Sequence, residues 1–159
     1  MKKQCFAFVL LIAGIYTPYA AAGEWLVGAK AGVVDIDFSA ADAGVGGSFM
    51  LGKEVIDLVA ADIAIEGELT ESLSDPEIGN SEISFSSKAL YASLRTAGPI
   101  YVIGKLGVAS AEFENTDDTG SSLGVGVGFS LGGLRWEVEY TTFEVENTDV
   151  NYITLGLSF

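Results

Sequence analysis

A strict two-residue alternation constrains this chain more than any other feature. In Leu123-Gly124-Val125-Gly126-Val127-Gly128-Phe129-Ser130-Leu131 every second residue is apolar, and each residue between is Gly or Ser. A strand turns successive side chains to opposite faces, so this segment has one apolar face and one nearly bare face. The pattern recurs at the end of the chain, where Ile153, Leu155, Leu157 and Phe159 alternate with Tyr152, Thr154, Gly156 and Ser158. Leu134, Trp136, Val138 and Tyr140 likewise oppose Arg135, Glu137, Glu139 and Thr141. Val59, Ala61, Ile63 and Ile65 oppose Asp62, Glu66 and Glu68. With Gly, Pro, Asp and Asn clusters as breaks, the spacing predicts strands over 24–35, 43–52, 58–69, 82–96, 100–112, 121–131, 134–145 and 150–159.

The first residues follow a different rule. Lys2 and Lys3 precede an apolar run over 6–16, and Ala20-Ala21-Ala22 supplies a small-residue cleavage pattern. Residues 1–22 therefore read as a cleaved signal peptide, with 23–159 as the folded domain. The run is shorter than the ~20 apolar residues of a spanning helix. Cys5, the single cysteine, lies ahead of that run, so the folded part is expected to hold neither a disulfide nor a thiolate metal site.

Which face meets which solvent decides the fold. A soluble sandwich or a lipocalin-like barrel also alternates, with its apolar face inward. Three features favour lipid outside. The predicted strands are about 10 residues long, the length of a tilted membrane strand. Connections alternate between short (53–57, 97–99, 132–133) and mostly longer polar ones (36–42, 70–81, 113–120, 146–149), as periplasmic turns and outer loops do. With both termini periplasmic, Trp25, Trp136 and Phe159 fall on the apolar face at one rim, where an aromatic girdle sits. Composition agrees: the chain is 49% hydrophobic although its formal net charge is −14. No apolar run of spanning length follows the leader, and backbone groups in lipid must pair internally. The expected fold is all-β, an eight-stranded antiparallel up-and-down transmembrane β-barrel in the outer membrane.

The closing segment GVGVGFSLGGLRWEVEYTTFEVENTDVNYITLGLSF resembles the last strands of the small outer-membrane β-barrels related to the OmpA N-terminal barrel and OmpX. The shared pattern is a Gly-alternating strand, a tight turn, a strand carrying Glu139-Tyr140, a loop, and a final strand ending in Phe. Residues 88–111 match the family's central hairpin more loosely. The resemblance implies that Phe159 and Leu157 belong to the signal read by the outer-membrane assembly machinery, with Trp25 and Trp136 completing the periplasmic girdle. Gly156 lies closer to the end than the strictest form of that signal places it. A chain stopping at Phe159 is expected to lack the peptidoglycan-binding domain of longer OmpA-type proteins.

The residue inventory narrows the chemistry. The chain has no histidine. Barrel enzymes of the lipase, deacylase, acyltransferase and protease kinds rely on one, as the resemblance implies, so neither an enzymatic activity nor a cofactor is expected. By parity Lys30, Asp62, Glu66, Arg95, Lys105, Arg135, Glu137 and Glu139 point into the lumen, where charges of both signs should pair. An ion or proton path is one reading, and would make the protein a narrow channel. A plug of salt bridges is the other, favoured because eight strands leave room only for side chains. Windows 35–42, 66–82, 112–121 and 143–149 hold most of the 22 acidic residues and no Lys or Arg. All four windows are expected at the outer rim, with Asp35/Asp37, Glu66/Glu68, Glu112/Glu114 and Glu144/Glu146 topping the rising strands. Asp35, Asp37, Glu112, Glu114, Glu144 and Glu146 are candidates to hold Ca²⁺ or Mg²⁺ and bridge to lipopolysaccharide phosphates; a solvated, self-repelling rim is the alternative. The acidic balance disfavours nucleic acid and direct contact with anionic lipid. A monomer is expected.

Overall fold

The computed structural model describes residues 23–36, 43–74, 77–78, 81–82, 85–113, 116–145 and 148–159. The expected signal peptide lies outside them, as does Asp37. Eight strands close into one antiparallel barrel: β1 (Trp25–Ile36), β2 (Gly44–Asp57), β3 (Ala61–Ser74), β6 (Phe85–Thr96), β7 (Ile100–Phe113), β8 (Thr116–Leu131), β9 (Leu134–Val145) and β10 (Thr148–Ser158). Each pairs with its neighbours in sequence, and β1 pairs with β10 to shut the sheet. Two-residue strands β4 (Glu77–Ile78) and β5 (Ser81–Glu82) form a separate ladder. Among the described residues no helix is long and apolar enough to cross a membrane. Closure leaves no free sheet edge, the condition for backbone surrounded by lipid.

The seam is completed by the last residue. Val27 N donates to the Phe159 carbonyl and Phe159 N donates to the Val27 carbonyl, both at 3.0 Å. The short connections 58–60, 97–99 and 132–133 share one end of the barrel with both chain termini. Gly132 and Gly133, at φ of 63° and 85°, make the two-residue β8–β9 turn. Positive φ at both positions suits the twist of a tight hairpin and favours glycine.

Alternation decides what faces out. Leu106, Leu155 and Val125 are 63%, 56% and 52% exposed, while the intervening Lys105, Thr154 and Gly124 are buried. The apolar face is outside and the polar face inside, the reverse of a soluble barrel.

Several element boundaries differ from the expected ones, on both sides of the barrel. The β2–β3 turn is 58–60, not 53–57, and Leu58-Val59 lie in it rather than opening a strand. A bulge between Glu54 and Ile56 is the cause. The extra residue, Val55, lets Glu54 point inward and Ile56 outward, so the period-two signal breaks inside a continuous strand. At the opposite end the strands run on: β3 reaches Ser74 and β8 begins at Thr116, so segments expected as loops are ladder. Thr116-Asp117-Asp118 has no alternation to announce it, and its pairing with β7 is simply continued from the belt below.

Candidate functional site in the barrel interior

Seven buried charged residues form a chain of ion pairs across the lumen. Lys30 Nζ lies 2.8 Å from Glu68 Oε2 and 3.0 Å from Glu139 Oε1. Glu139 Oε2 is 2.8 Å from Lys105 Nζ, which is 2.8 Å from Glu66 Oε2. Glu66 Oε1 lies 2.6 Å from Arg95 Nη2, and Arg95 Nε donates to Glu137 Oε1 at 3.0 Å. Charges alternate along the whole path, from Glu68 to Glu137. Glu66 and Arg95 are 0% and 2% exposed, so each charge depends on its partners for the solvation it lost. Hydroxyls extend the network. Tyr101 donates to Glu137 Oε1 at 3.0 Å, Ser93 donates to Glu66 Oε1 at 2.6 Å, and Arg95 Nη1 donates to Ser93 Oγ at 3.0 Å. Lys105 Nζ sits 5.8 Å from the Tyr91 ring centroid.

The bare face of β8 makes room for these side chains. A Cβ on Gly126 would stand 2.9 Å from Glu139 Cγ, and one on Gly128 would meet the Tyr101 ring at 2.5 Å. One on Gly124 would lie 3.3 Å from Lys105 Cβ. The glycine face and the long charged side chains opposite it are therefore two halves of one packing solution.

Above and below, the interior changes character. Toward the loop end come hydroxyl pairs: Ser48 Oγ with Thr70 Oγ1 at 2.8 Å, and Tyr91 with Ser122 at 3.0 Å. Beyond them Val34, Phe85, Ala109, Ala111, Phe143, Val150 and Tyr152 form an apolar cluster, with Phe85 and Phe143 stacked at 6.0 Å. At the turn end Leu26, Met50 and Ala64 form a second cluster. Among the described residues, the lumen thus holds successive layers of apolar, hydroxyl and charged side chains.

Six of the eight residues assigned to the lumen by parity, Lys30, Glu66, Arg95, Lys105, Glu137 and Glu139, meet in this network. Arg135 does not; it is half-buried at the turn end, 2.9 Å from Glu54 and 3.6 Å from Glu24. Asp62 lies opposite Arg95 in the ladder, yet joins no ion pair among the described residues and keeps one oxygen buried without a hydrogen-bond partner. Glu68 is a network member that parity alone would have found, and its neighbour Glu66 belongs there as well. The expectation that Glu66 and Glu68 top the outer rim is corrected: β3 continues well past both, so they sit at belt height and point inward. Of the six rim carboxylates, Asp37, Glu114 and Glu146 lie outside the described residues. Asp35, Glu112 and Glu144 are exposed, and the described residues contain no acidic group arranged to hold a metal ion. At the turn end Trp25 is 61% exposed beneath Lys53, whose Nζ is 5.4 Å from its ring centroid. Trp136 stacks on Phe129 at 6.3 Å and lies opposite Leu157 in the ladder.

Comparison with known proteins turns on this geometry. Ail, the attachment invasion locus protein of Yersinia pestis, superposes with a TM-score of 0.63 at 15% identity, over 86% of this chain and 95% of that one. The chain has the fold of the small outer-membrane barrels. Neisserial surface protein A aligns at 15% identity and a TM-score of 0.55, covering 86% of this chain and 97% of that one. The outer-membrane enzyme PagL aligns at 14% identity and 0.57, covering 84% and 98%. One architecture therefore serves an attachment and invasion locus product, a surface protein and an enzyme. No family model and no curated protein sequence matches the chain.

Proposed function

We propose that the protein is a bacterial outer-membrane barrel with a structural or interaction role, inserted with its turns toward the periplasm and its acidic connections toward the exterior. The observation that carries this reading is the pairing of a continuous apolar exterior with an interior crossed by a chain of buried ion pairs. Such an exterior is stable only in lipid, and such an interior leaves transport nothing to use without dismantling buried ion pairs. The fold shared with Ail and Neisserial surface protein A supports the location, and the absence of histidine supports a role other than catalysis. The exposed acidic residues at the loop end, Asp35, Glu71, Glu112 and Glu144, then act as the hydrated surface that meets other molecules, with the lipopolysaccharide layer as their surroundings.

Planar-bilayer recording distinguishes this role from that of a narrow channel. The refolded protein is expected to insert without steady conductance. Reproducible ion-selective steps, altered by Lys105→Met, would establish a conducting pathway through the network and overturn the filled-lumen reading.

A further inference from the structure

The apolar exterior is not smooth. A groove of about 500 Å³ crosses it on β1, β2, β3 and β6, within the ~300–1,000 Å³ range of small-molecule sites. Ladder registers define its course in three successive rows: Trp25–Lys53–Ile65, then Leu51–Gly67, then Phe49–Leu69–Lys88. Gly67 forms the floor. A Cβ there would meet only the Leu51 carbonyl oxygen, at 3.8 Å, so the backbone would accept a side chain and the depression exists because none is present.

Lys88 marks the loop-side end. On β6 the outward residues Leu94, Ala92 and Leu90 precede it from the turn end, and Ser86 follows. The lysine therefore sits where the run of outward apolar residues on β6 stops. Every other described cation is engaged: Lys30, Arg95, Lys105 and Arg135 in ion pairs, Lys53 over Trp25. Lys88 alone has neither an ion pair nor a ring beneath it among the described residues. Glu71 and Glu112 stand outward on the adjacent strands, both opposite Ser86 and so two register positions further toward the loops, and neither pairs with it.

We propose that this groove seats one acyl chain of a phosphate-bearing lipid of the loop-side leaflet, of the lipid A class, with a phosphate on Lys88 and the chain lying over Gly67 toward Trp25. The inference rests on the outer-membrane reading above. Charge complementarity selects the headgroup, since a phosphate supplies the counter-ion that the protein does not. The position of Lys88 selects the leaflet. The chain's overall negative charge does not oppose the contact, because the nearest carboxylates lie on the aqueous side of the lysine while the lipid approaches from the belt. Shape selects the tail: an apolar channel with a glycine floor accepts a narrow flexible chain.

The test is native mass spectrometry of the full folded chain in detergent, titrated separately with lipid A, phosphatidylglycerol and phosphatidylcholine. The wild type is expected to retain one lipid A, with phosphatidylcholine at least about fivefold weaker, the scale of one lysine at an anionic surface. Lys88→Gln should bring lipid A down to the phosphatidylcholine level. Gly67→Leu should remove retention by filling the groove, whereas Gly104→Leu, an equally open outward glycine elsewhere on the belt, should leave it unchanged. Mobility of unheated protein on a denaturing gel confirms that each variant is a closed barrel, and Lys88→Gln tests the site even if Gly67→Leu fails to close. Equal retention in wild type and Lys88→Gln would overturn the proposal, and phosphatidylglycerol binding as tightly as lipid A would overturn the assigned lipid class. Either result in a barrel that still inserts into bilayers leaves the outer-membrane reading intact.

Discussion

Lys105 is the residue on which the interior most depends, because it bridges Glu66 and Glu139 at 2.8 Å each. Its removal leaves Glu66, Glu68, Glu137 and Glu139 to share only Lys30 and Arg95. Lys105→Met should therefore destabilise the folded barrel by about 3–5 kcal/mol, the cost of an unpaired buried charge. Adding Glu139→Gln removes one of the stranded carboxylates, and the double variant should lose less than the sum of the two single changes. Urea unfolding in lipid vesicles, followed by Trp fluorescence, measures all three. Phe159 acts at a different stage. Its backbone bonds to Val27 close the seam, and its side chain lies on the outward face. Phe159→Ala keeps those backbone bonds, so it should reduce the amount of barrel recovered from the outer membrane more than the unfolding free energy of what is recovered. Equal losses in the two measurements would assign Phe159 to stability alone.

Among the elements, β8 links sequence pattern to packing most directly. Its glycines face Lys105, Glu139 and Tyr101, and Gly126→Leu would drive a side chain into Glu139 and the Val138 carbonyl. A loss of about 1–3 kcal/mol is expected from overpacking, with the same unfolding assay as readout. Substitution at outward Gly104, where a Cβ meets nothing within 4 Å, provides the contrast. Strand identity and facing were legible in the sequence wherever alternation was unbroken, as in β8, β9 and β10. They were obscured where a bulge added one residue, as at Val55, because a parity rule cannot count an unpaired position. The ends of β3 and β8 were missed for another reason: beyond the belt neither face needs to be apolar, so pairing continues without a compositional signature. That same continuation carried Glu66 and Glu68 from the expected rim into the lumen. Parity identified inward charges but not which of them meet: Arg135 lies at the turn end on Glu54, and Asp62, although opposite Arg95 in the ladder, joins no ion pair among the described residues.

For the whole molecule, the governing relation is inversion: apolar residues outside, ion pairs and hydroxyls inside. The glycine wall, the closed seam and the groove beside Lys88 belong to it, while apolar clusters at the two ends flank the polar interior. A soluble barrel of this sequence would present its apolar face to water and could not persist as a monomer. The most direct test is expression of the full chain in a Gram-negative host, followed by separation of periplasm, inner membrane and outer membrane. Each fraction is run on a denaturing gel with and without boiling. The account predicts recovery in the outer-membrane fraction as a band whose mobility shifts on heating, as a closed barrel opens. Recovery in the soluble periplasmic fraction, with no heat-dependent shift, would contradict it.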